Sequence, residues 1–117
     1  MSYWVDLNCS LCGRPLTVAS HTDGGAYATT GTGDAILYIT YNYSVFYCEA
    51  LNSDAGLRLL DGARAAIVTE ALRSAVEKLG VERSGDYLES TPGNAGYALS
   101  ILLKWAEEHP DGVFEVS

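Results

Sequence analysis

Ala35-Ile36-Leu37-Tyr38-Ile39-Thr40-Tyr41-Asn42-Tyr43, followed at once by Ser44-Val45-Phe46-Tyr47-Cys48-Glu49-Ala50, is where the chain changes its period. The first run is rich in β-branched and aromatic residues, which suit a half-buried pleated strand. After Tyr43 the apolar positions Val45, Phe46, Cys48 and Ala50 fall at helical spacing, and Ser44 stands where a capping hydroxyl accepts a free amide. Upstream, Tyr3, Val5 and Leu7 alternate with Asp6 and Asn8, and Arg14 to Val18 forms another short apolar run. Between them, His21-Thr22-Asp23-Gly24-Gly25 and Thr29-Thr30-Gly31-Thr32-Gly33-Asp34 carry glycines that admit positive φ and mark tight connections. The first half is therefore expected to be a small antiparallel meander.

Downstream the pattern is helical. Asn52-Ser53-Asp54, with Gly56 beyond, ends the short helix begun at Ser44. Asp61 is placed to cap a longer one, in which Ile67, Ala71, Leu72, Ala75, Val76 and Leu79 recur and Gly80 follows the last apolar residue. Thr91-Pro92-Gly93-Asn94 opens the last helix with a capping residue and a proline in the first turn. Its buried stripe is Ala95, Ala98, Leu99, Leu102, Trp105 and Ala106, and His109-Pro110-Asp111-Gly112 stops it. Val113 to Val116 reads as a final edge strand. The expectation is a single α+β domain over residues 1–117: an N-terminal antiparallel β-meander packed against two or three C-terminal α-helices.

Charge narrows the partners. The 117 residues carry 15 Asp plus Glu against 7 Lys plus Arg, a formal charge of −8. Both halves are acidic, and neither holds a Lys/Arg cluster, so the counterion release that drives nucleic-acid binding is missing. Direct nucleic-acid binding is not expected. The acidic surface serves solubility, or resembles a polyanion that fits a basic protein groove. At 48% apolar the chain is too hydrophobic to stay disordered, and its longest uncharged stretch, Ala35 to Cys48, is broken by Thr, Asn, Ser and Tyr, so no membrane span is expected. Met1 to Leu7 lack the basic and apolar regions of an export signal. A reducing cytosol follows as the expectation, in which 3 cysteines serve as thiols or metal ligands rather than disulfides.

The sharpest chemical motif is Cys9-Ser10-Leu11-Cys12-Gly13-Arg14-Pro15. Two thiolates two residues apart can share one tetrahedral Zn²⁺, each sulfur about 2.3 Å from it. A structural zinc site needs four ligands, and the further candidates are His21, Cys48 and His109. The ligand set Cys9, Cys12, His21 and Cys48 is weighed against two ordinary thiols in a turn. A redox pair is disfavoured because strand pattern, not a helix N-terminus, surrounds the motif. Cys9, Cys12, Cys48 or Ser10 with His21 or His109 match a nucleophile and base only by residue type. No Gly-x-Ser-x-Gly elbow, P-loop, His-Glu-x-x-His or dinucleotide fingerprint occurs, so no catalytic residues are assigned and the protein is expected not to be an enzyme.

Binding is better supported. Tyr41, Asn42 and Tyr43 place phenols and an amide together, and Gly24 and Gly25, with Tyr27 just beyond, present backbone amides. The helix start at Thr91, Gly93 and Asn94 offers free N–H donors and a positive dipole end, with no side chain at Gly93 to block an anion. Joined, these make an aromatic-lined pocket with a phosphate end.

The same residues carry a resemblance. Gly24-Gly25-Ala26-Tyr27, Ile39-Thr40-Tyr41-Asn42-Tyr43-Ser44, Thr91-Pro92-Gly93-Asn94-Ala95 and Pro110-Asp111-Gly112-Val113 are similar, in order and spacing, to the phrases GGTYA, NITYNYS, TEGNAxxAL and RPDGxW of a family of small bacteriophage and prophage proteins. The chain departs from it at Tyr38 (usually Asn), Pro92 (usually Glu), Gly96 and Tyr97 (frequently basic) and Phe114 (usually Trp), and the segment between Ala50 and Gly56 is shorter. The resemblance implies a phage accessory protein of the host bacterial cytoplasm, not a virion shell component, and supplies no established activity. Members with a non-liganding Asp-Pro-x-Thr-Gly turn in place of the cysteines imply that metal is dispensable to the fold. The expected function is sequestration of a small nucleotide-like ligand that antagonises a host defence process. The alternatives are an acidic protein–protein inhibitor of a host nucleic-acid-binding enzyme and a zinc-stabilised structural module; a homo-oligomer is compatible with each.

Overall fold

A computed structural model describes residues 2–18, 26–28, 34–86 and 89–117. The N-terminal alternation becomes strand β1 (Ser2–Asn8), which joins β2 (Ala26–Ala28), β3 (Ile36–Thr40) and β4 (Val113–Val116) in one antiparallel sheet of order β2-β3-β1-β4. The order departs from a meander because β1 lies between β3 and the C-terminal strand. Val5 stands opposite Leu37 on one side and Val116 on the other, so the buried residues of three strands share a face. β4 also covers the β1 edge that a three-stranded meander would leave open.

Arg14 to Val18 does not form the expected strand. Pro15 has no amide hydrogen to continue a ladder, and the segment makes single bridges instead, Asn8 to Pro15 and Thr17 to Asp34. Leu16 is stitched between its neighbours: its amide donates to the Leu7 carbonyl (2.9 Å) and its carbonyl accepts from the Ala35 amide (2.8 Å).

The strand of the mid-chain junction ends at Thr40, earlier than its aromatic run suggests. Thr40 Oγ1 accepts the Asn42 amide (3.2 Å) and turns the chain into a 3₁₀ helix over Tyr41–Tyr43, which runs on into α1 (Ser44–Ala50). Ser44 is inside the helix rather than its cap, its hydroxyl donating to the Tyr41 carbonyl at 2.6 Å. A further 3₁₀ helix, Gly56–Leu60, buries Leu57 and Leu60. It is too short to show a period in the sequence. Then α2 (Ala65–Leu79) begins after Arg64, not at Asp61, whose carboxylate instead accepts the Val116 amide (3.0 Å) and ties down β4. α2 buries Ala65, Val68, Leu72 and Ala75, whereas Ile67, expected inside, is 76% exposed.

The last helix, α3 (Pro92–Glu108), forms as read: Thr91 Oγ1 accepts the Asn94 amide, proline sits in the first turn, and the expected apolar stripe is buried. All helices lie on the sheet face carrying Tyr3, Val5, Leu7, Leu37, Ile39, Phe114 and Val116, which joins Leu72, Leu99, Leu102 and Trp105 in one core. Two glycines set how closely α3 approaches the end of α2. A Cβ on Gly96 would lie 1.8 Å from the Gly80 carbonyl oxygen, and one on Gly93 would lie 1.8 Å from that of Glu82. Gly96→Ala must therefore push two backbones apart. We expect it to lower the unfolding free energy by about 2–3 kcal/mol in urea titrations; an unchanged midpoint would show that the helices are not in this contact.

Candidate functional site

The aromatic turn and the start of α3 do meet. Ser90 Oγ donates to the Asn42 carbonyl at 2.7 Å, just before the Thr91 cap. The space behind that junction is filled. Tyr43 is fully buried and packs edge-to-face on Tyr47, with centroids 6.1 Å apart, and the Tyr47 hydroxyl donates to the Ala95 carbonyl at 3.0 Å. Burial, with Tyr43 and Tyr3 nearby, holds the Tyr47 phenol well above its ordinary pKa, so it keeps the proton it donates.

Three of the expected ligand-lining residues are instead part of the framework. Tyr43 belongs to the core because the 3₁₀ turn rotates it inward, off the face that Asn42 shows to solvent. Gly93 packs its bare backbone against the Glu82 carbonyl, and with Thr91, Pro92 and Arg83 it also lines an open cavity of about 370 Å³. Asn94 is wholly buried: Ser84 Oγ, the Asp86 carbonyl and the Glu89 carbonyl lie 2.9, 3.1 and 3.0 Å from its Nδ2 and share its two hydrogens, and its Oδ1 accepts the Ser84 amide at 2.9 Å. It fastens the segment before α3, each bond contributing about 1 kcal/mol.

Tyr41, Asn42 and Thr91 keep some exposure. Tyr41 packs edge-to-face on Tyr3 at 4.6 Å, and Arg58 joins the pair, with its Nη2 donating to the Tyr41 hydroxyl at 3.4 Å and its guanidinium 5.4 Å from the Tyr3 ring centre. Arg58 was not legible as a site residue because the 3₁₀ helix that carries it has no sequence period. Tyr27 stands opposite Tyr38 in the β2–β3 register, while Gly24, Gly25 and His21 lie outside the described residues.

The cysteine turn has a defined shape. The Gly13 amide donates to the Cys9 carbonyl (2.9 Å), the Cys9 amide to the Arg14 carbonyl (2.8 Å), and the Leu11 amide to Cys9 Sγ (3.4 Å), with Gly13 at φ 73°. The Cys12 amide foremost, then that of Leu11 and the Cys12 side chain, stabilise the Cys9 thiolate and hold its pKa below the ordinary 9.0. Cys48 does not join them. Its thiol donates to the Asp54 carbonyl at 3.7 Å, and among the described residues no three His, Cys, Asp or Glu side chains are grouped to hold a metal. The expected set Cys9, Cys12, His21 and Cys48 is thus not assembled by its described members, because α1 carries Cys48 into a separate contact. His109 faces the Thr17 carbonyl, 3.1 Å from Nε2.

The sheet face turned away from the helices carries a second cluster that the sequence reading missed. Register puts Tyr38 and Trp4 in one row and Ile36, Asp6 and Glu115 in the next. Trp4 is 46% exposed and meets the Tyr38 ring edge-to-face at 4.8 Å. Glu115 accepts from Asn8 Nδ2 at 3.1 Å, while Asp6 Oδ1 and Asn8 Oδ1 are buried with no hydrogen-bond partner among the described residues. The polar half of the β1 alternation was the available signal, read there only as strand pattern.

No protein family, no curated protein and no solved structure among those compared matches the chain. Among the described residues no helix is long and apolar enough to cross a membrane.

Burial raises the Asp6 pKa above the ordinary 3.8, a hydrogen bond from Trp4 opposes the shift, and the Glu115 charge adds to it. The folded state therefore binds this proton more tightly than the unfolded chain. The stability it contributes is present below 3.8 and lost as pH rises through the raised value. Asp6→Asn removes that loss, so its stability relative to the parent chain should increase from about pH 4 to about pH 7 in urea melts; a flat or falling difference contradicts the assignment.

Proposed function

We propose that this is a non-catalytic binding protein that docks on a basic surface of a partner protein through the outer face of its sheet. The observation that carries this reading is the juxtaposition of the Trp4–Tyr38 pair with the acidic row of Asp6 and Glu115 on the face that bears no helix. Trp and Tyr supply large, rigid contact area and dominate the energetics of protein interfaces. The acidic neighbours and the overall charge of −8 steer such a face toward a cationic surface and raise the rate of encounter. The resemblance to small phage proteins adds that the partner is bacterial and that docking antagonises a host process, with a basic nucleic-acid-binding groove as the surface best matched in charge. In pull-downs from bacterial lysate the partner should be retained at low salt and released as salt rises. Trp4→Ala should lower retention by about tenfold or more, the size of an interface anchor, with an unchanged circular dichroism melt. Retention that survives both rising salt and Trp4→Ala would overturn the reading.

Sequestration of a nucleotide-like ligand is favoured by one different observation. Arg58 sits on the Tyr3–Tyr41 pair next to exposed Asn42, and among the described residues it forms no ion pair, the pairs being Arg73 with Glu70 and with Glu107. A guanidinium beside two edge-to-face phenols suits a phosphate carried on an aromatic base. Calorimetric titration with cyclic and ADP-ribose-type nucleotides should then give heat that Arg58→Ala abolishes; no heat from any of them removes this reading.

A further inference from the structure

The Cys9–Cys12 turn presents two thiols from one short loop. The Leu11 amide donates to Cys9 Sγ at 3.4 Å, and the Gly13 amide donates to the Cys9 carbonyl at 2.9 Å, closing the turn around Cys9. Two thiolates two residues apart can share one tetrahedral Zn²⁺, each sulfur about 2.3 Å from it. Gly13 adopts a left-handed φ of 73°, which lets the chain double back after the second cysteine, and nothing lies within 4 Å of where its Cβ would be. Two ligands do not make a closed zinc site, and the described part of the chain brings no third: Cys48 is held at Asp54 and His109 at Thr17. The turn is also at the surface, with Cys12 exposed and Leu11 95% exposed at its tip.

We propose that two copies of this chain join their Cys9/Cys12 turns around one thiophilic divalent cation, Zn²⁺ first, so that four thiolates complete the tetrahedron and the two Leu11 side chains are buried beside it. Each thiol releases its proton to solvent as its Zn–S bond forms, so binding weakens as pH falls. Four thiolates around Zn²⁺ leave a charge of about −2, between copies that each carry −8, and Arg14 of each copy follows Gly13 directly to offset it. Added salt should therefore strengthen this dimer, the opposite of its effect on docking to a basic partner.

The test uses the full chain, reduced with a phosphine and titrated with Co²⁺ and then Zn²⁺. Strong thiolate-to-cobalt charge-transfer absorption should saturate near about 0.5 metal per chain. Sedimentation should show a doubled mass with Zn²⁺ that reverts on adding EDTA. Cys12→Ser should abolish both signals, whereas Cys48→Ser and His21→Ala should leave both unchanged, each variant being checked by its melting curve. Saturation at one metal per monomer, loss of the signals in His21→Ala, or no charge-transfer band in the reduced chain would each overturn the proposal; the first two would point instead to a site closed within one copy.

Discussion

The approach of α3 to the segment leaving α2 governs most of this structure. Gly93 and Gly96 present bare backbone where the Glu82 and Gly80 carbonyls come in, leaving no room for a side chain at either position. Packing this tight brings the α3 stripe onto the core and sets the direction from which the chain enters the helix. Asn94 then turns that approach into a fixed geometry, because its one buried side chain hydrogen-bonds Ser84, Asp86 and Glu89 together. The same contact uses the helix start as structure. A feature whose composition suits a phosphate serves here to receive a peptide carbonyl.

The core side of the junction between the aromatic turn and α3 holds no hollow. On the helix side, Tyr43 and Tyr47 fill the junction, and only its rim, with Tyr41, Asn42 and Arg58, reaches solvent. On the far side of the sheet, β1 shows Trp4 and Asp6 between β3 and β4 because each of its neighbours pairs in a register that aligns aromatic with aromatic and acid with acid. Burial, with the neighbouring Glu115 charge adding to it, raises the Asp6 pKa. The proposed docking would set these two acids against a cationic partner.

Alternation at Tyr3, Val5 and Leu7, the stripe from Ala95 to Ala106 and the Thr91-Pro92 cap were legible because each is a local pattern whose period or hydrogen bond needs no distant partner. The Cys9–Cys12 turn is local in the same sense, being held by amides within the motif and by Arg14. Residues misplaced from sequence share the opposite property. Asp61 looked like a helix cap, but a strand more than fifty residues later takes its carboxylate; Ile67 fits an apolar stripe in a helix whose buried side is chosen by its neighbours. Tyr43 and Asn94 have the chemistry of ligand contacts and the burial of core residues.

The sequence by itself thus determined the α+β class, the extent of α3 and the acidic character of the whole. Only the tertiary structure decided that β4 closes against β1, that Arg58 reaches Tyr41, and that the candidate pocket is filled while Trp4 and Tyr38 stand together on the open face. The physical reason is range. Periodicity, capping and turn chemistry act over a few residues, whereas burial and register depend on which distant segments arrive at the same place.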